Sequence, residues 1–182
     1  MKWLFAFLLA LAAPAFAANG LLEHTAVNAL RAAKHTSTGT QLEHGGMLIS
    51  HDTPYGRTLE YVEPTAEGKE ASVTVVDRTF LHKGDVLVGT YHLHLCMLDY
   101  YHQYFSRQDV ITAIFSGVPE YMLDECTGLV HVFDPKVDKV HGPGSIEAHI
   151  TTPDGKGARV HLPMGRIIED IGEIEPVHKD ST

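Results

Sequence analysis

Apolar and polar residues alternate along several short segments of the chain, which predicts β-strands separated by turns rich in glycine and proline. Ahead of them, residues 19–34 carry alanine and leucine at helical spacing and predict a helix that packs on the sheet. A second helix is predicted to begin at Ser106 and to stop at Gly117. Its expected apolar stripe consists of Val110, Ile111, Ile114 and Phe115. The expected strands are 42–50, 57–62, 71–76, 86–94, 121–123, 129–133, 147–151 and 159–162, and a short helix is expected over 164–171.

This order of elements predicts an α/β (α+β) fold in which helices flank a mixed β-sheet. The strand over 86–94 is apolar enough at its start to be a central strand. We expect a single domain over 18–176, with a C-terminal β extension over about 135–176. Residues 177–182 are expected to form a mobile tail.

The N-terminus carries Lys2, then a short apolar run, then a small-residue triplet that ends at Ala17. This pattern predicts a secretory signal peptide over 1–17, cut near Ala17, and therefore an exported protein in the periplasm or outside the cell. A membrane span needs about 20 apolar residues. The apolar run is shorter, so no stable membrane anchor is expected, and a retained N-terminal anchor is the alternative.

The net charge of the chain limits the classes of partner that it is expected to bind. Its 14 Lys and Arg residues stand against 23 Asp and Glu residues, for a formal net charge of −9. Binding to nucleic acid or to an anionic membrane needs clustered basic residues, which the sequence lacks. A peptide or protein substrate, or a cell-wall fragment, is the expected partner.

The chain has two cysteines, Cys96 and Cys126. In the oxidising compartment that a signal peptide implies, the pair predicts one disulfide bond. The alternative is metal ligation by Cys96, because it continues the alternation of His92 and His94 and a thiolate is a good zinc ligand.

A candidate metal site comes from two parts of the sequence. Residues two apart in a strand point to the same side, so His92 and His94 can meet one ion. Ser106 and Asp109 have the spacing of a helix N-cap and its third helical residue, which places a carboxylate in the first turn, facing the histidines. Two imidazoles and one carboxylate leave a fourth position open, as in catalytic zinc sites.

Each of these residues also has an ordinary structural interpretation. Ser106 and Asp109 can be a helix cap alone, His92 and His94 can be solvated strand residues, and Glu43, at the mouth of a predicted core strand, can be a surface acid. Five further histidines lack a partner at ligand spacing and are expected on the surface. They are His131, His141, His149, His161 and His178.

The order Glu43, His92-x-His94 and Ser106-x-x-Asp109 resembles the signature of the JAMM (MPN-type) zinc metallopeptidases. The resemblance covers about residues 20–134 and implies a JAMM/cytidine-deaminase-like sheet. It also implies a Zn²⁺ ion bound by His92, His94 and Asp109. Glu43 would then be the general base and Ser106 the oxyanion donor, in cleavage of a peptide, isopeptide or cell-wall amide bond.

The chain departs from this family between the second histidine and the serine. Residues 95–105 form a connection longer than the common family spacing, so His102 or Asp99 is an alternative ligand to Asp109. Two other functions stay open. One is a catalytically inactive JAMM-like binding, accessory or immunity module with a partner protein in a secretion or toxin system. The other is a periplasmic metal-binding protein that uses His92, His94, Cys96 and His102.

Overall fold

The computed structural model shows an α+β chain with two helices and eight strands among the residues that it describes. The described residues are 20–37, 42–62, 75–76, 79, 81–96, 101–151 and 157–172. The elements are α1 (20–37), β1 (Gly45–Thr53), β2 (Gly56–Val62), β3 (Val86–His94), α2 (Arg107–Ser116), β4 (Glu120–Asp124), β5 (Leu129–Phe133), β6 (Ile146–Thr151), β7 (Gly157–Leu162) and β8 (Arg166–Asp170). The predicted signal peptide, the predicted tail and residues 71–74 of a predicted strand lie outside the described residues.

Six strands form one mixed sheet in the order β2-β1-β3-β4-β5-β8. β3 and β4 run parallel, and the other neighbouring pairs are antiparallel. β6 and β7 form a separate antiparallel pair. The predictions of a mixed sheet with helices, and of β3 as a central strand, are confirmed.

Side-chain alternation gives the central strands two different faces. On one face, small and branched side chains of α1 pack against apolar residues of β1, β3, β4 and β5. On the other face, α2 and the residue that precedes its N-cap pack over β4 and β5. The core of this second face consists of Phe105, Val110, Ala113, Met122 and Phe133. His92 and His94 alternate with the α1-facing Tyr91 and Leu93, so they lie on the second face.

The predicted apolar stripe of α2 is wrong in part. Val110 and Ala113 are buried, but Ile114 is 53% exposed and Phe115 is 86% exposed. The buried positions are three residues apart, and the small Ala113 side chain lets the helix lie close to the sheet. The helix therefore contacts the sheet along a stripe narrower than its sequence suggests.

The helix predicted over 164–171 is also wrong, because this segment contains strand β8. It pairs antiparallel with β5, and Ile167 lies opposite His131. In the extended conformation Ile168 packs against the core under α1, while Ile167 points outward. Two consecutive isoleucines in the sequence do not show that they lie on opposite faces of a strand. This segment is therefore a strand because it pairs with the edge of β5.

A disulfide bond joins Cys96, just beyond β3, to Cys126 in the turn between β4 and β5. The predicted pairing is confirmed, and neither cysteine is a free thiol that could ligate a metal. The bond fits a protein of an oxidising compartment. Among the described residues, no helix is long and apolar enough to cross a membrane.

Gly45 allows β1 to approach β3 closely at the first histidine. Gly45 pairs with His92, and a Cβ atom built on Gly45 would lie 2.4 Å from the Tyr91 carbonyl oxygen and 2.7 Å from the His92 Cβ. The Leu93 backbone N–H also donates to the His44 carbonyl at 3.0 Å. A glycine at position 45 is therefore what lets the two backbones come this close.

Gly45→Ala is expected to lower the free energy of unfolding by about 1–3 kcal/mol, because the added methyl group overlaps backbone atoms of β3 that cannot move independently. Urea denaturation measures this change. Gly20→Ala is the matched control, since no atom lies within 4 Å of its added Cβ. Equal stabilities for the two variants would contradict the close contact.

Candidate metal centre

β3 brings two imidazoles together on the α2 side of the sheet. The Nε2 atoms of His92 and His94 are 3.0 Å apart. The His92 side chain is buried, and that of His94 retains some exposure. The prediction that both histidines share a face agrees with this arrangement.

Helix α2 begins with a capping box that fixes a carboxylate beside these imidazoles. The Ser106 hydroxyl oxygen accepts the Asp109 N–H at 3.2 Å, and Asp109 Oδ2 accepts the Ser106 N–H at 2.6 Å. The same Oδ2 atom lies 3.5 Å from His92 Nε2 and 3.5 Å from His94 Nε2. Asp109 is thus both a capping residue and a neighbour of the histidines, two roles that the sequence presented as alternatives.

The separations of these three atoms suit a metal ion. Ligands about 2.0–2.1 Å from a tetrahedral zinc lie about 3.3–3.4 Å from one another. The three ligand atoms are separated by 3.0, 3.5 and 3.5 Å, before any ion draws them to one centre. The group His92, His94 and Asp109 can therefore hold a metal ion.

Hydrogen-bond partners define which nitrogen of each imidazole faces the site. His94 Nδ1 lies 2.8 Å from the backbone carbonyl oxygen of His102, which can only accept, so this nitrogen carries a proton. His92 Nδ1 lies 3.0 Å from Glu120 Oε1, in a contact not aligned for a regular hydrogen bond and therefore mainly electrostatic. In the neutral tautomers that these partners favour, two Nε2 lone pairs face each other at 3.0 Å. Such an arrangement needs a proton or a cation between them.

Glu120 is the site residue that the sequence did not reveal. Its carboxylate is 1% exposed, and it reaches His92 because β4 pairs parallel with β3, with Thr90 opposite Glu120. A carboxylate behind a ligating imidazole is common in metal sites, where it orients the ring and raises its basicity. The only local signal is an acidic residue directly before the apolar residues 121–123 of β4.

Glu43 lies just before β1, at the side of the histidines. Its carboxyl is partly buried, and burial raises the pKa of Glu43 above its usual value, although His92 and His94 counteract this rise. A carboxylate whose pKa is moved toward neutrality suits a general base. The structure thus places Glu43 within electrostatic range of both histidines and of Asp109.

No protein-family model matches the chain, and no curated protein is significantly similar to it. The chemistry of the clustered residues must therefore carry any functional conclusion.

His102, one of the two alternative ligands proposed in the long connection, does not join the three-residue group. His102 Nδ1 contacts Asp124 Oδ1 at 2.8 Å, which places that imidazole in a second cluster with Asp124 and Cys126. The sulfur of Cys126 is committed to the disulfide with Cys96, which removes Cys96 from the metal-handling alternative as well. Asp99 lies outside the described residues.

The prediction that His131 lies on the surface is wrong. This side chain is 1% exposed, because it occupies the α2 face of the central strand β5. Its Nδ1 atom contacts the Met164 carbonyl oxygen at 3.1 Å and donates to it. Burial lowers the pKa of His131, so its neutral form is favoured.

Charges in the site favour a proton on His92 when no metal is bound. Burial opposes that charge, but Asp109 and then Glu120 outweigh burial and raise the pKa of His92 well above its usual value of 6.5. Burial alone would raise the pKa of Asp109, yet His92 and His94 hold it well below its usual range. The metal-free site therefore favours an imidazolium beside a carboxylate.

Metal binding should consequently release a proton. A metal ion needs neutral His92, so acidification through the raised pKa of His92 weakens binding, by about tenfold per pH unit. We expect about one proton released per ion near neutral pH, measured by calorimetry in buffers of different ionisation enthalpy. In Glu120→Gln, which lacks one of the charges that stabilise the imidazolium, release should decrease. Affinity independent of pH around neutrality would contradict this account.

Proposed function

We propose that this chain is an exported zinc-dependent hydrolase of JAMM type that cleaves an amide bond in a peptide, an isopeptide or a cell-wall crosslink. One observation carries the proposal. Two Nε2 atoms and one carboxylate oxygen converge at nearly the separations of a tetrahedral metal site, with the His102 carbonyl behind one imidazole and the Glu120 carboxylate behind the other. Three protein ligands with a fourth position open are typical of catalytic zinc.

The remaining residues match the needs of amide hydrolysis. When bound, zinc supplies a Lewis acid that polarises the scissile carbonyl and makes water more acidic. Glu43 accepts the proton of the attacking water as the new C–O bond forms. It then transfers that proton to the amine nitrogen as the C–N bond breaks. Its raised pKa suits both halves of this transfer.

Ser106 is the donor proposed for the oxyanion. Its oxygen already accepts the Asp109 N–H, so its own hydroxyl proton can point toward charge that develops on the substrate oxygen. The capping geometry keeps this hydroxyl at the start of α2, next to the proposed metal ligand.

The site is partly open to solvent, which favours an enzyme over a closed structural metal site. The side chains of His94 and Asp109 are 13% and 16% exposed, whereas that of His92 is 3% exposed. The disulfide supports export to an oxidising compartment. The net acidic charge supports a peptide or protein substrate rather than nucleic acid.

The test is zinc-dependent hydrolysis by the oxidised, zinc-loaded protein. Three probes cover the proposed bonds: a fluorogenic peptide library, lysine isopeptides and crosslinked cell-wall peptides. Cleavage of one class should disappear with a chelator and return with added zinc. His92→Ala should be inactive, and His149→Ala, altered at an exposed histidine of the β6–β7 pair, should retain full activity.

A protein that binds zinc but cleaves none of the three classes would contradict the hydrolase. It would support the inactive binding, accessory or immunity module instead. A protein that binds no zinc would overturn the metal site itself.

A further inference from the structure

The connection between β3 and α2 contacts a proposed metal ligand through its backbone. The carbonyl oxygen of His102 accepts the Nδ1–H of His94 at 2.8 Å. This contact keeps the proton on Nδ1 and turns the Nε2 lone pair of His94 toward His92 and Asp109. The orientation of His94 thus depends on where residue 102 lies.

The side chain of His102 fixes that position. Its Nδ1 atom donates to Asp124 Oδ1 at 2.8 Å, and Asp124 is fully buried at the end of β4. Asp124 is itself immobilised, because Oδ1 also accepts the Cys126 N–H at 2.9 Å and Oδ2 accepts the Thr127 hydroxyl at 2.6 Å. His102 is therefore attached to a rigid acceptor.

That acceptor is also fixed relative to β3. Asp124 pairs with His94 in the parallel register, and the Glu125 N–H donates to the His94 carbonyl at 3.1 Å. The Cys96–Cys126 disulfide joins the same two strand ends. The side chain and the backbone of His94 are thus both tied to the turn that carries Asp124.

We propose that His102 is a positioning residue for the metal centre: its imidazole, held by Asp124, places its own carbonyl where it orients His94. Residue 102 of the long connection then supplies the carbonyl that accepts from His94, while the Glu120 carboxylate lies beside His92. The inference rests on the metal site of the proposed function, but not on hydrolysis.

His102 suits a test because its side chain is 21% exposed and can be removed without opening a large internal cavity. His102→Ala removes the donor to Asp124. His102→Asn keeps a hydrogen-bond donor to Asp124, since the amide nitrogen of asparagine can occupy nearly the place of imidazole Nδ1. His149→Ala controls for the loss of an exposed histidine elsewhere.

Zinc affinity is measured for the oxidised chain by competition with a chromogenic chelator, and the geometry of the site by the visible spectrum of bound Co²⁺. Thermal unfolding of the metal-free protein is measured in parallel. We expect His102→Ala to lose about 10- to 100-fold in zinc affinity and to weaken the Co²⁺ absorption bands of tetrahedral coordination. His102→Asn should recover affinity to within about threefold, and His149→Ala should match the wild type.

Several results would overturn the proposal. It is wrong if His102→Ala binds zinc as tightly as the wild type, or if His102→Asn binds zinc as weakly as His102→Ala. A loss of affinity matched by melting of the metal-free variant would indicate a purely structural role and would also overturn it. Because zinc and cobalt binding are measured without substrate, an inactive wild-type protein that gives the expected pattern would defeat the hydrolase and leave this inference standing.

Discussion

Glu43→Gln is expected to lower the rate of zinc-dependent amide hydrolysis by about 10²- to 10⁴-fold, the usual contribution of a general base, while zinc stays bound. Glutamine has nearly the same shape as glutamate but cannot accept the proton of the attacking water. The three proposed ligands are untouched, and burial already disfavours a charge at position 43, so the neutral variant should fold normally. Rates and zinc content are measured on the same preparations.

Glu147→Gln is the matched control for this variant, because Glu147 is an exposed carboxylate on the separate β6–β7 pair. It should cleave at the wild-type rate. If Glu43→Gln also cleaves at that rate, Glu43 is not the base. If Glu43→Gln instead loses zinc, the carboxylate contributes to metal binding and its assigned role is wrong.

Asp109→Asn should lower zinc affinity by more than about 100-fold. Residues behind metal ligands typically contribute about 10- to 100-fold, and a charged ligand contributes more. Asparagine keeps a side-chain oxygen that can accept the Ser106 N–H, so the helix cap survives while the anionic ligand is lost. This variant therefore separates the two roles of Asp109. Chelator competition measures the affinity, and thermal unfolding reports on the cap.

Ser106→Ala is the complementary variant, because it removes the hydroxyl that accepts the Asp109 N–H and leaves all three proposed ligands. Loss of an N-cap hydroxyl costs about 1 kcal/mol of stability, so this protein should be less stable but should still bind zinc. If Asp109→Asn instead binds zinc with wild-type affinity, Asp109 is a helix-capping residue and not a metal ligand.

Local patterns in the sequence predicted the parts of the site that local geometry controls. Strand alternation placed His92 and His94 on one face, and the three-residue spacing of Ser106 and Asp109 predicted a capping box that the structure contains. The single pair of cysteines predicted the disulfide. Each of these inferences depends on spacing within one element, or on composition, and not on how distant segments pair.

The features that the sequence did not predict depend on pairing between distant segments. Glu120 reaches His92 through the parallel register of β4 with β3, which no spacing within β4 encodes. His131 is buried because β5 is an interior strand of the sheet, and 166–170 is extended because β5 offers it an edge. Periodicity indicates that an element has a buried face, but not which residues of another strand will lie opposite it.

Each of the three proposed ligands is held by a protein partner that does not depend on the metal. Asp109 is held by the Ser106 N–H, His94 by the His102 carbonyl, and His92 by the charge of Glu120. Little side-chain entropy is then lost when an ion binds, in contrast to small zinc domains that fold only around their metal. On the proposed function, zinc would therefore leave and return as a reversible occupant of an already folded protein. The supply of metal around the protein would then set how much of it is active without changing how much of it is folded.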